Sequence, residues 1–167
     1  FKWAYRGLGE IVIALSYGPL LVLGSNYLQT GLSAGQAGRI GASLLYASLL
    51  CGLSIFCLAI LNEIPDYYQD RLAGKMNLVV RMGKQKAIKF LKLCFAGVFL
   101  LLALGLISGM VPLLAMVVFL LLPWFLKSFS IAESNYDNPR MFRSVINASI
   151  VIYLTLVSSL SIGYLYR

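Results

Sequence analysis

Asn62, Asp66 and Asp70 recur every four residues in the stretch NEIPDYYQDRLAGKMNLVVRMG, and Glu63 lies three before Asp66. On one continuous helix, that spacing places all four oxygen-bearing side chains on a shared face. Neighbouring carboxylates repel one another unless a positive charge sits between them. Oxygen donors with no His or Cys close by suit magnesium better than zinc, so Asn62, Glu63, Asp66 and Asp70 are the candidate metal ligands, with Asp66 and Asp70 the candidate catalytic pair. Magnesium usually keeps waters and bridges to phosphate. Directly beyond the acids come Arg71, Lys75, Arg81, Lys84, Lys86, Lys89 and Lys92, a run of cations suited to phosphate oxygens, with Arg71 and Lys75 nearest. The pattern reads as a metal–diphosphate site at a membrane surface. The plain alternative is a solvated loop between two spans, since a D-x-x-x-D spacing is short. Against it stands position: the acids follow directly on an apolar span, where ionisable groups are costly and functional by default.

The elements around this stretch are membrane helices. The 167 residues are 60% hydrophobic and only 12% charged, about half the charged fraction of a soluble domain. The length suffices for about five spans of roughly 20 residues. The expected fold is therefore all-α, an integral membrane bundle in a single domain, with spans near 7–27, 40–61, 90–107, 111–126 and 145–166. Ile40 to Leu61 carries no charge and delivers Asn62 to the surface. Leu93 to Leu126 is too long for one crossing, and Ser108 to Pro112 supplies the break of a hairpin. Pro19 after Gly18 is expected to kink the first span, and Glu10 to cap its own helix at the interface. Pro65 implies a kink at 61–65 or a fresh helix with Pro65 near its first position, and Gly74 should end that helix. Asn77 to Met82 is open between a strand and a surface helix.

The net charge of +8 does not imply nucleic acid, because the basic residues flank spans. If the 62–92 loop faces the cytoplasm, Lys2, Arg6, Arg71, Lys75, Arg81, Lys84, Lys86, Lys89, Lys92, Lys127, Arg140 and Arg143 share that side, against Arg39 and Arg167 opposite. That asymmetry orients the protein with the site loop cytoplasmic. There is no His, which removes imidazole bases and His-ligated metals. Cys51, Cys57 and Cys94 lack metal spacing and read as apolar filler.

Several stretches resemble a known family. NEIPDYYQDRLAGKMNLVVRMG is similar to the second Asp-rich motif of the UbiA-type intramembrane aromatic prenyltransferases. YRGLGE at Tyr5 to Glu10, with GPL and YLQTG further along, resembles that family's preceding helix, and YDNPRMF a late loop of its branch acting on 1,4-dihydroxy-2-naphthoate. The resemblance implies a bundle of about nine helices that moves a prenyl group from a prenyl diphosphate to an aromatic quinone precursor in menaquinone or phylloquinone biosynthesis. It implies magnesium as cofactor and an inner, plasma or thylakoid membrane as location. It carries over Asp66 and Asp70 as metal ligands, Asn62 as a site residue and Lys2 as a diphosphate-binding candidate. An apolar cavity lined by residues such as Phe56, Leu61 and Tyr67 would keep water from an allylic cation, which Tyr67 and Tyr68 could steady unless they are interfacial anchors. The family has two Asp-rich motifs, the first of the form N-x-x-x-D-x-x-x-D; the one such string here, Asn62 to Asp70, is matched to the second, and no separate first motif occurs. The chain is therefore expected to be the C-terminal part of the enzyme, inactive without an N-terminal half.

Other readings are a cation transporter using Asp66 and Asp70, and a non-catalytic membrane subunit. Transporter sites usually lie near mid-membrane rather than at a span end. A CDP-alcohol phosphotransferase would resemble D-x-x-D-G-x-x-A-R, which is absent.

Overall fold

The computed structural model describes residues 7–31 and 38–166; Lys2 and Arg6 lie outside them. Five helices are long and apolar enough to cross a membrane. They are α1 (Gly9–Thr30), α2 (Gly38–Glu63), α5 (Lys84–Ile107), α6 (Leu113–Ser134) and α7 (Phe142–Leu165). Two short helices, α3 (Tyr67–Leu72) and α4 (Leu78–Met82), lie between α2 and α5. No strand occurs among the described residues. The undecided stretch before Gly83 is thus helical, because Asn77 caps it by accepting the Val80 N–H on its side-chain oxygen at 2.8 Å.

The helices outrun the uncharged windows. α5 begins at Lys84 rather than near residue 90, and α6 continues to Ser134, past residue 126. Apolarity marks only the part that must face lipid; the charged turns beyond it stay helical in the interface, where long side chains reach water.

α2 is the hub. It packs against α1, α5 and α7, while α6 lies against α5 and α7. Leu50, Cys57, Ile60 and Leu61 of α2 join Leu91, Leu102, Val145, Ile152 and Leu156 in one continuous core. Between α5 and α6 the filling is aromatic: Phe95 and Phe125 have ring centroids 4.5 Å apart, Phe125 and Phe129 5.6 Å. At the hairpin end the Tyr164 hydroxyl donates to the Met110 carbonyl at 2.7 Å, and Tyr46 donates to Leu101 at 2.6 Å. The Met110 carbonyl, in the turn of the hairpin, thereby finds a partner, as an apolar solvent demands.

α1 is the least covered helix. Leu8, Ile11, Leu15, Leu20, Leu21 and Leu28 are exposed, and only one side meets α2. Its expected kink takes the form of a π-helical turn over Ser16–Leu20 that contains Pro19. Proline has no N–H to give, and a wider turn accommodates it without breaking the helix. The same turn carries Gly18, where a Cβ would lie 2.6 Å from the Gly52 Cα of α2. The two backbones meet through hydrogen alone, a common device where lipid offers no hydrophobic drive to associate.

α6 opens differently. Pro112 is extended, and Leu113–Leu121 winds as a 3₁₀ helix before changing to α-helix at Leu122, next to Pro123. Such runs rarely exceed three or four residues; here both ends are set by proline.

Gly18→Ala should lower the thermal unfolding midpoint in detergent, with an overpacking cost of about 1–3 kcal/mol. Gly24→Ala, where nothing lies within 4 Å of the added carbon, should leave it unchanged or raise it slightly.

Candidate functional site

The acidic stretch does not form one helix. α2 ends at Glu63, Ile64 and Pro65 lie in a turn, and α3 starts at Tyr67 with Asp66 at its N-cap position. Pro65 thus stands in the break rather than inside a helix, consistent with the hydrogen bond it cannot give. Gly74 takes φ of +69° just beyond α3, and the Lys75 N–H folds back to the Asp70 carbonyl at 2.9 Å. The shared face anticipated for Asn62, Glu63, Asp66 and Asp70 is accordingly interrupted at Ile64. Asn62 and Asp66 are exposed, whereas Glu63 and Asp70 are partly buried.

Asp70 is held from both sides. Its Oδ2 accepts from the Lys75 ammonium at 3.0 Å and from the Asn77 amide at 2.6 Å. Asn77 is fully buried and works twice, orienting Asp70 through its nitrogen and capping α4 through its oxygen. Desolvation pulls the Lys75 pKa down. The hydrogen bond to Asp70 and the charges of Asp70, Glu63 and Glu10 outweigh it, so the net displacement is upward. Arg71 is exposed at the end of α3, and Arg81 donates Nε to the Met76 carbonyl at 3.0 Å.

Glu10 departs from expectation. It does not cap its own helix. It is 1% exposed, and its Oε1 accepts the Leu78 N–H at 2.7 Å, 68 residues away. The head of α1 is thereby fastened to the N-terminus of α4, where a carboxylate meets unsatisfied amides and a favourable dipole. Gly7 completes the junction: at φ +69°, a Cβ there would meet Arg81 Nε at 2.9 Å. The Glu63 carboxyl faces that of Glu10, and Oε2 of each is buried with no hydrogen-bond partner among the described residues. Sequence reasoning missed both Glu10 and Asn77 as members of this network. The available signal was a lone acid at the head of an apolar span.

Nearby lies a second cluster. The Tyr68 hydroxyl donates to Asp137 Oδ1 at 3.3 Å, and the Lys84 ammonium sits over the Tyr68 ring, 4.6 Å from its centroid. The Asp137 charge is the main reason the Tyr68 phenol is displaced upward. Gln85 donates to the Tyr136 hydroxyl at 2.9 Å, and Lys92 pairs with Glu133 at 3.0 Å. These contacts join α3 and α5 to the end of α6 and to the turn that follows it. Tyr68 therefore offers its π face to a cation of the protein itself. Of the residues anticipated to line an apolar cavity, Leu61 is instead core, and Phe56 stacks edge-on against Phe90 at 6.3 Å.

Among the described residues, no three acids or thiols converge closely enough to ligate one ion. The donors present are oxygens of Asp66 and Asp70, a set suited to a magnesium ion that takes one or two carboxylates and completes its shell with water and phosphate.

Glu10→Ala should destabilise the protein by about 1–3 kcal/mol, because the partly buried Leu78 amide loses its partner. Glu10→Gln, which keeps an acceptor oxygen, should cost less. The Lys75–Asp70 pair adds a pH signature: with the folded pKa above the ordinary 10.5, its contribution is complete below that value and lost as pH climbs through the raised one. The difference in thermal midpoint between wild type and Lys75→Met should thus stay constant from about pH 7 to 9 and shrink above about 10.5.

The UbiA prenyltransferase family model matches residues 1–165. The chain is 24% identical over 139 residues to the 2-carboxy-1,4-naphthoquinone phytyltransferase of Synechocystis sp., covering 83% of this chain and 43% of that protein. It is 34% identical over 88 residues to the 1,4-dihydroxy-2-naphthoate octaprenyltransferase of Escherichia coli, covering 53% and 26%. The Haemophilus influenzae protein of the same name is 33% identical over 84 residues, covering 50% and 25%. The chain thus spans less than half the length of the curated relatives it matches, and no solved structure matches it significantly. With its five membrane-length apolar helices and a family match running almost end to end, this integral membrane chain belongs to the UbiA prenyltransferase family.

Proposed function

We propose that this chain carries half of the active site of a membrane prenyltransferase. The enzyme would transfer a prenyl group from a prenyl diphosphate to an aromatic quinone precursor, with 1,4-dihydroxy-2-naphthoate or its close kin as acceptor. The observation that carries the reading is the presentation of Asp66 at the N-cap and Asp70 within a short helix directly after the α2 span, beside Lys75 and Arg71. The acceptor class rests on the names of the relatives, which act on naphthoate-type rings.

In this reading Asp66 and Asp70 hold magnesium, with Asn62 and Glu63 at its margin. The metal, when bound, neutralises the diphosphate so that it can leave. Asp66 is exposed and open to an ion. Asp70 would contribute its other carboxylate oxygen, since Lys75 and Asn77 both contact Oδ2, and the Lys75 ammonium would stand close enough to add positive charge for the phosphate oxygens. Arg71 and Lys2 add positive charge for the same anion. Asn77 would keep the Asp70 carboxylate oriented through its bond to Oδ2. The bundle's task is to exclude water, which would otherwise capture the allylic cation.

The proposal places the site loop on the cytoplasmic side, in agreement with the basic bias of its flanks. It also places the partner Asp-rich motif outside these 167 residues. By this reading the chain alone is inactive.

Magnesium-dependent prenyl transfer, assayed in membranes with dihydroxynaphthoate and a prenyl diphosphate, tests both parts. Transfer should require the chain joined to or co-expressed with the preceding part of its own reading frame. Asp66→Ala or Asp70→Ala should lower the rate at least 100-fold, about 2.7 kcal/mol of barrier. Unchanged transfer in both variants would remove these acids from the mechanism; selective ion flux in the absence of transfer would favour a transporter.

A further inference from the structure

We propose that the cleft at the head of α5 is an anion site, distinct from Asp66 and Asp70, that takes a phosphate group on the Lys84 ammonium. Lys84 is the first residue of α5, and its side chain is 5% exposed. Its Nζ nevertheless has no hydrogen-bond partner among the described residues. The Tyr68 ring lies against it, and the Asp137 carboxylate stands 3.7 Å away, beyond hydrogen-bond range. Neither supplies an aimed acceptor to any of its three donors, although a buried ammonium normally has one.

The space in front of it suits an oxyanion. A cleft of about 350 Å³ opens there, bounded by Tyr67, Tyr68, Lys86, Tyr136 and Asp137. It has room for a phosphate group and several waters, at about 30 Å³ per water. The N-terminus of a 24-residue helix points the same way. Gly83 at its N-cap has no side chain to satisfy the first-turn amides, and those amides with the helix dipole favour an anion. An ammonium, main-chain amides and tyrosine hydroxyls together provide more donors than one carboxylate can use; the oxygens of a phosphate can use them. Asp137 holds the place meanwhile. It is 60% exposed on the turn between α6 and α7, so an incoming phosphate can push it into water at little cost.

The phosphate has two sources with the same chemistry: the headgroup of an anionic lipid at the membrane surface, or free diphosphate. Two arms separate them. In detergent with a chelator present, which silences any magnesium site, equilibrium dialysis reads binding of radiolabelled inorganic diphosphate. In mixed micelles, native mass spectrometry reads retention of phosphatidylglycerol against phosphatidylcholine. Lys84→Gln should weaken binding at least tenfold in the arm that holds the true ligand. Asp137→Asn should tighten it severalfold, a change of sign that misfolding cannot produce. Lys89→Gln, an exposed cation further along α5, should stay within about twofold of wild type. Binding that Lys84→Gln leaves unchanged in both arms overturns the proposal, as does an equal loss in Lys89→Gln or an Asp137→Asn variant that binds no tighter.

Discussion

A single long-range hydrogen bond, from the Leu78 amide to the buried Glu10 carboxyl, fastens the candidate site to the first span. Burying a carboxyl group without partners costs several kcal/mol. One Glu10 oxygen is answered by the start of α4, the other faces the Glu63 carboxyl, and through the first the loop that carries Asp70, Lys75 and Asn77 is fastened to the head of the first span. Gly7 against Arg81 repeats the fastening from the other side. Ile64 and Val79, both in the core, anchor the same stretch from within the bundle.

The junction also sets the electrostatics. Around Asp70 the protein balances acids against cations at close range: Lys75 at 3.0 Å, the Asn77 amide at 2.6 Å, and the facing carboxyls of Glu10 and Glu63 behind. The second cluster repeats the arrangement with Lys84, Tyr68 and Asp137. In both, a flexible lysine rather than an arginine stands beside the carboxylate, and a point charge on a mobile stem can change partner where a bidentate fork would hold.

In the membrane the constraints are different. α2 serves as the common wall for α1, α5 and α7, and the closest approaches go through glycine: Gly18 on Gly52, and Gly105 under Tyr46. Since lipid is as apolar as leucine, contact area and satisfied backbone groups replace the hydrophobic effect as the source of packing. α1 stands apart from this pattern, with most of its circumference exposed. It is held by one face and by the Glu10 junction at its end.

The sequence by itself determined the all-helical membrane class and the number of spans, because uncharged runs of membrane length and their polar breaks are local features. It marked Asp66, Asp70 and Lys75 through type and spacing, and the UbiA resemblance through NEIPDYYQDRLAGKMNLVVRMG and YRGLGE. It marked the punctuation at Pro19, Pro65 and Gly74, since proline and glycine act on their own backbone. What only the tertiary structure decided were the pairings at long range. Periodicity projects side chains onto an unbroken helix, and the break at Ile64 scatters the expected face. Glu10 and Leu78 lie 68 residues apart, and Tyr68 and Asp137 69, separations over which no sequence period extends. Whether Glu10 caps its own helix or a distant one depends on which buried amide lacks a partner, and that is settled only when the helices have packed.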